Sequence, residues 1–266
     1  MSNALPSTFW GWVAFILDKY GSLFLNGAGY TMLIAVSGTV IGFVIGLLVA
    51  VVRTIPVSRK DSLLRRGCLR GVSFVLNVYI EVFRGTPMIV QAMVIYYGAM
   101  MYLKLRMPAL GAAIFIISIN TGAYMAEIIR GGIISVDKGQ KEAAHAIGMT
   151  HWQSMLHVVL PQAVRNIMPS IGNEFVVNIK DSSVLNVISV SELFFVGKSA
   201  AGTYARYFEA FFIIACIYFA LTFTVTRLLR LLEKKMDGGR NYTICGSQSD
   251  SGSVITVEQG GGAPRD

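Results

Sequence analysis

The chain has 266 residues, of which 54% are hydrophobic and only 14% charged, and its formal net charge is +8. A soluble domain carries about 25% charged residues, so the scarcity of charge and its confinement between long apolar runs exclude an ordinary soluble domain and mark a polytopic membrane protein. The basic excess flanks apolar runs instead of forming a nucleic-acid patch, and Cys68, Cys216 and Cys245 are too scattered for a disulfide framework or a metal site.

Residues 1–26 hold aromatics, Asp18 and Lys19, without a basic leader or a small-residue cleavage site. They are expected to form an amphipathic segment at the outer interface, not a signal peptide. A crossing helix needs about 20 apolar residues, and the clearest runs from Gly27 to Val52. Its Gly38, Gly42 and Gly46 let another helix backbone approach, either in the same subunit or across a dimer. A second apolar region, 71–103, is too long for one straight helix and is interrupted at Arg84-Gly85-Thr86-Pro87. A third runs over 109–136, followed by a stretch, 137–166, too polar to span. A fourth, 169–196, carries Glu174, Asn178, Lys180 and Asp181, and a fifth, 207–232, ends among Arg227, Arg230, Lys234 and Lys235. The tail 237–266 is rich in Gly and Ser and is expected to be disordered.

The expected fold is an all-α membrane protein with five transmembrane helices, which places the two termini on opposite sides. With the N-terminus outside and the C-terminus inside, residues 53–70, 130–166 and 227–266 face the cytoplasm and hold 16 of the 23 basic residues. The outer segments then hold five, Lys19, Lys104, Arg106, Lys198 and Arg206. The positive-inside bias selects this orientation.

The stretch from Asp137 to Pro161 reads as two short helices. Asp137 with Gln140 matches a helix start, Gly148 suits a left-handed helix end, and Thr150 with Gln153 matches a second start. A rigid helix–glycine–helix elbow is predicted, with its second helix running towards Pro161. His145, His151 and His157, six residues apart, share no helix face and are expected to be surface residues.

Within the spans, Glu174, Asn178 and Asp181 fall on one face of the fourth helix, and Asn120, Tyr124 and Glu127 repeat that spacing on the third. Ionisable groups at membrane depth cost about 2.5–3.5 kcal/mol each on insertion scales, so these stripes suggest either a shared aqueous route or a network holding helices together. For Glu127, pairing with Arg130 three residues on is the plainer expectation. At the break in the second region, Thr86 is expected to cap a new half-helix with Pro87 at its first position. Arg84 and that helix start would then form an anion site; alternatively, Glu81 pairs with Arg84 and the break is a kink.

The elbow's residues also carry a resemblance. Glu142-Ala143-Ala144, then Gly148, Val158 and Leu160-Pro161 resemble the EAA loop of ABC importer permeases, with Val158 where that family usually has Ile. Glu81-Val82-Phe83-Arg84-Gly85-Thr86-Pro87 with Gln91, the run Ala123–Ile133 and Asn173-Glu174-Phe175 are similar to the polar amino acid permeases of the histidine, arginine and glutamine type. The resemblance covers roughly 27–236 and implies a permease domain of the type I importer fold. It implies a second permease copy or paralogue, two ATP-binding subunits and an extracytoplasmic binding protein as partners. ATP with Mg would be bound by the ATPase, which Glu142, Ala143, Ala144, Gly148, Leu160 and Pro161 would engage. Substrate would meet Arg84, Thr86, Gln91, Glu174, Asn178 and Asp181. Gly197-Lys198-Ser199 does not complete a phosphate loop, because position 192 is Glu where Gly is required.

An ion-coupled secondary carrier is the alternative, but it would need internal repeats, which are not found, and it leaves the elbow without a purpose. An intramembrane protease lacks its motifs: neither H-E-x-x-H nor a G-x-S-x-G elbow occurs within the spans.

Overall fold

The computed structural model describes residues 5–55 and 62–237. Among them the chain folds into nine α-helices: α1 (Phe9–Arg53), α2 (Leu63–Gly85), α3 (Met88–Tyr102), α4 (Ala109–Ser135), α5 (Lys138–Ala146), α6 (His151–Ser154), α7 (Leu160–Asp181), α8 (Leu193–Tyr204) and α9 (Tyr207–Asp237). By length and apolarity α1, α4 and α9 can each cross a membrane, and two bent pairs raise the number to five. Those pairs are α2 with α3, bent by 114°, and the helical run 151–188 with α8, bent by 55°.

The centre of the fold is α1 against α4. The small-residue ladder of α1 meets α4 at every step: a Cβ on Gly38 would lie 2.6 Å from Ile117, on Gly42 2.8 Å from Thr121, and on Gly46 2.5 Å from Met125. The partner of the ladder is therefore a helix of the same subunit. Without side chains at these three positions the backbones close to a distance no larger residue tolerates. Ile34, Ala112, Ala113, Ile116 and Ile117 fill the adjoining core, joined by Leu185 and Ile188 after α7.

One sequence expectation changes. No break separates residues 9–26 from the first span: α1 is one helix of 45 residues, about 67 Å long against a hydrocarbon core of about 30 Å. Its first part stays helical because Val13, Ile16 and Phe24 are buried against α8 and α9, which gives that stretch a packed face of its own. Residues 193–204 form helix α8. Gly197 lies under Ile214 of α9, where a Cβ would approach to 2.7 Å, and Ala205 with φ 53° turns the chain into α9. The tail expected to be disordered falls outside the described residues, apart from the last residue of α9.

Candidate functional site

The bend between α2 and α3 is held by one glutamine. Gln91, 7% exposed, directs its amide nitrogen at Phe83 O (2.9 Å), Thr86 O (2.9 Å) and Thr86 Oγ1 (2.8 Å). Its amide oxygen accepts from Asn120 Nδ2 of α4 at 2.9 Å. The end of α2 leaves carbonyls without intrahelical partners, and Gln91 supplies the missing donor. The same carbonyls correct the expected cap. Thr86 does not cap α3: its hydroxyl donates backwards to Val82 O at 2.8 Å, and the residue at the α3 start is Pro87, with no side-chain cap. Arg84 is exposed, and its guanidinium lies over the Tyr124 ring, 5.5 Å from the centroid. The bend thus sits on the Asn120–Tyr124 face of α4.

The α7 stripe is divided. Asn178, 3% exposed, accepts from Thr121 Oγ1 (2.9 Å) on α4 and donates to Thr39 Oγ1 (2.9 Å) on α1. Thr39 in turn donates to Ala35 O (2.7 Å). Both ends of the Asn178 amide are thus spent on tying three helices together, and a buried amide with these partners positions the bundle. Glu174 is buried and Asp181 half-buried. Arg84, Thr86, Gln91, Glu174, Asn178 and Asp181 line neither the cleft beside Arg53 and Arg130 nor the groove between Val176 and Arg230. The structure therefore brings Arg84, Thr86 and Gln91 together on one side of α4, and anchors the Asn178 face of α7 to α4 through Thr121.

Glu127 pairs with Arg130, whose Nε and Nη2 donate to Oε2 at 3.0 and 2.8 Å. It also accepts from Nη1 of Arg53, the last residue of α1. Glu127 belongs to a helix-joining ion network, and Arg53 is the member that sequence reasoning missed. A signal existed: Arg53 closes the first span at the end of the bundle where Glu127 and Arg130 close the third. Sequence reasoning also missed Glu192, fully buried, which caps α8 by accepting from Phe194 N (2.8 Å) and Phe195 N (2.7 Å) and binds Tyr218 (2.8 Å). An acid followed by Leu193-Phe194-Phe195 is a helix-start signature that could have revealed it.

The elbow forms as two helices. Asp137 caps α5 by accepting from Gly139 N at 2.7 Å, while the Gln140 side chain faces Gln162 (3.4 Å) and does not close a capping box. Gly148 takes φ +86°, a conformation that costs an L-residue about 1–2 kcal/mol. Thr150 and Gln153 form a complete capping box: Thr150 N donates to Gln153 Oε1 (2.8 Å) and Gln153 N to Thr150 Oγ1 (3.3 Å). Glu142 and Ala143 are exposed, Ala144 is buried, and Ile147 and Trp152 stand 79% and 51% exposed.

Pro161 does not end the second helix. The chain passes from α6 through a wide π-helical turn, Met155–Val159, directly into α7. In that turn Leu160 N reaches back five residues to Met155 O. Proline lacks an N–H and crowds the carbonyl four residues before it; a widened turn relieves both, so the helix continues.

Comparison with known proteins agrees with this geometry. The family described as binding-protein-dependent transport system inner membrane component matches residues 69–238. The chain is 38% identical over 215 residues to the glutamine transport system permease protein GlnP of Escherichia coli (strain K12), covering 80% of this chain and 93% of that one. It is 33% identical over 212 residues to the arginine transport system permease protein ArtQ of Bacillus subtilis (strain 168), covering 80% and 91%. Among solved structures, an amino acid ABC transporter crystallised with histidines superposes with a TM-score of 0.72 at 37% identity, over 88% of this chain and 100% of that chain. The inward-facing MetNI methionine ABC transporter, at 17% identity and TM-score 0.70 over 82% and 98%, shares the fold.

Proposed function

Since the chain belongs to the binding-protein-dependent transport system inner membrane components, we propose that it imports a polar amino acid, of the class named for its glutamine and arginine relatives. The protein is the transmembrane permease subunit of an ATP-driven amino acid importer in the bacterial cell membrane, and the family gives no support to an ion-coupled secondary carrier. The elbow carries the reading: two capped helices joined at Gly148, projecting exposed Ile147 and Trp152, form a rigid surface suited to a cytosolic ATPase. Residues 27–236 act as the permease domain, oriented with the elbow in the cytoplasm and the N-terminus outside. ATP with Mg is held by the partner ATPase, not by this chain.

The working assembly pairs two permease copies, or this chain and a paralogue, with two ATPase subunits and an extracytoplasmic binding protein. Substrate passes between the α2–α3 bend and α7. Arg84, stacked on Tyr124, takes the carboxylate by charge-assisted hydrogen bonds, and Glu174 or Asp181 takes the ammonium or a basic side chain. Gln91 and Asn178 act one step removed, because their amides already hold the bend and the helix bundle. The direct test is reconstitution with an ATPase and a binding protein that co-purify with it. Labelled glutamine or arginine enters vesicles only with ATP and binding protein present; uptake driven by an ion gradient without ATP overturns the proposal.

A further inference from the structure

A cleft lies where the elbow folds back under the ends of α1 and α4. Arg53 closes α1, Arg130 comes from α4, Lys141 and His145 come from α5, and His151 opens α6; all five line the same concavity. The lining is otherwise largely apolar and includes Ile134, 63% exposed and four residues after Arg130 on the same face of α4. Three permanent cations thus share a cleft that no carboxylate lines among the described residues, and Glu127, bonded to two of those cations, is divided between both arginines. That carboxylate fixes the guanidiniums while leaving donors unspent on each, since a guanidinium carries five N–H groups. Among the described residues, Arg130 bonds through Nε and Nη2 and Arg53 through Nη1. The His151 imidazole is held below its usual range by burial first, and then by the positive fields of His145 and Lys141. The cleft is therefore short of negative charge.

We propose that this cleft binds the phosphate of an anionic phospholipid headgroup, through Arg53, Arg130 and Lys141. The inference rests on the placement of the elbow in the cytoplasm. Two features favour a lipid over a soluble phosphate ester, which would satisfy the same donors. The cleft opens at the ends of two spanning helices, where headgroups lie, and basic pockets between helices at that depth are a recurrent headgroup site. The exposed Ile134 also provides an apolar wall for the start of an acyl chain, which a soluble anion does not need. A zwitterionic lipid is disfavoured because its quaternary amine would enter the field of Lys141 and Arg130. One wall of the cleft is the elbow, so an occupied cleft braces the elbow against the bundle.

The experiment reads lipid and not transport, so its failure is separable from failure of the transport function. The full permease, purified within its complex from nanodiscs containing equal parts phosphatidylglycerol and phosphatidylcholine, is examined by native mass spectrometry for retained lipid. Phosphatidylglycerol is retained preferentially, Lys141→Ala lowers its retention about fivefold, the share of one basic residue, and Lys141→Arg restores it, separating charge from fold. Equal retention of both lipids, or no change in Lys141→Ala, overturns the site. Displacement of phosphatidylglycerol by millimolar inorganic phosphate overturns the lipid assignment in favour of a soluble phosphate ester.

Discussion

Gly46 of α1 and Met125 of α4 stand so close that a Cβ on the glycine would lie 2.5 Å from Met125 Cβ and 2.8 Å from the backbone nitrogen of Ala126. The obstruction is backbone and a Cβ fixed to it, not the tip of a flexible side chain, so no rotamer change relieves it. Overpacking of this kind costs about 1–3 kcal/mol. Gly46→Ala is expected to lower the thermal unfolding temperature of the purified permease and its yield in the membrane. Gly131→Ala, where nothing lies within 4 Å, leaves both unchanged. Equal melting of the two variants would remove the α1–α4 ladder from the account.

Gly148 holds φ +86° with open space around it, so strain there comes from the backbone alone. Gly148→Val is expected to cost about 1–2 kcal/mol locally and to turn α5 relative to α6. Substrate-stimulated ATP hydrolysis and uptake fall while the permease still inserts. Intact stimulation by substrate would show that the elbow does not couple.

Gln91 separates latch from ligand. Gln91→Leu removes the side-chain donor to Thr86 O and leaves Phe83 O and the Asn120 amide bonded only to each other (3.3 Å), a loss of about 0.5–1.5 kcal/mol per hydrogen bond. The α2–α3 bend should loosen, giving faster hydrogen exchange at 83–91 without added substrate. Unchanged exchange with weakened substrate affinity would instead assign Gln91 to the substrate.

Arg84→Ala and Glu174→Gln test the path itself. Loss of uptake with basal ATP hydrolysis and assembly retained is expected for both. Arg84 is exposed and rests on Tyr124, so its loss leaves packing largely intact. Normal uptake in both variants would dismiss this route.

Orientation is checked with single cysteines at Thr150 and Thr203, both exposed, in a background lacking the native cysteines. An impermeant thiol reagent applied to intact cells should label position 203 and not 150. Labelling of position 150 would reverse the assigned orientation.

Much of the architecture is legible in sequence because membrane crossing imposes length and apolarity on each helix. The break at Arg84–Pro87 is readable from glycine and proline alone, and the Thr150–Gln153 box from its spacing. What escapes are decisions made in three dimensions. Thr86 can cap forward or bond backward, and only the free carbonyls of α2 decide it. The face of Asn178 is visible in a helical projection, but whether that face opens to a path or is consumed by Thr39 and Thr121 depends on helices far away in the chain. Arg53 and Glu127 are separated by 74 positions, and only the parallel packing of α1 on α4 makes them neighbours. Continuity is hidden too: a proline reads locally as a stop, and the wide turn that carries the helix past Pro161 has no sequence signature of its own.

That wide turn also sets an angle. Because residues 151–188 form one unbroken helical run, the azimuth of the elbow around the rod is locked to the azimuth of Glu174 and Asn178 farther along it. A turn closed by a five-residue reach, from Leu160 N to Met155 O, holds one residue more than an ordinary helical turn. A residue inserted instead in the regular stretch of α7 between Leu160 and Glu174, where no wide turn takes it up, would rotate the elbow by about 100° about the rod axis relative to Glu174 and Asn178. The chain would remain helical, with the elbow facing another way around the rod.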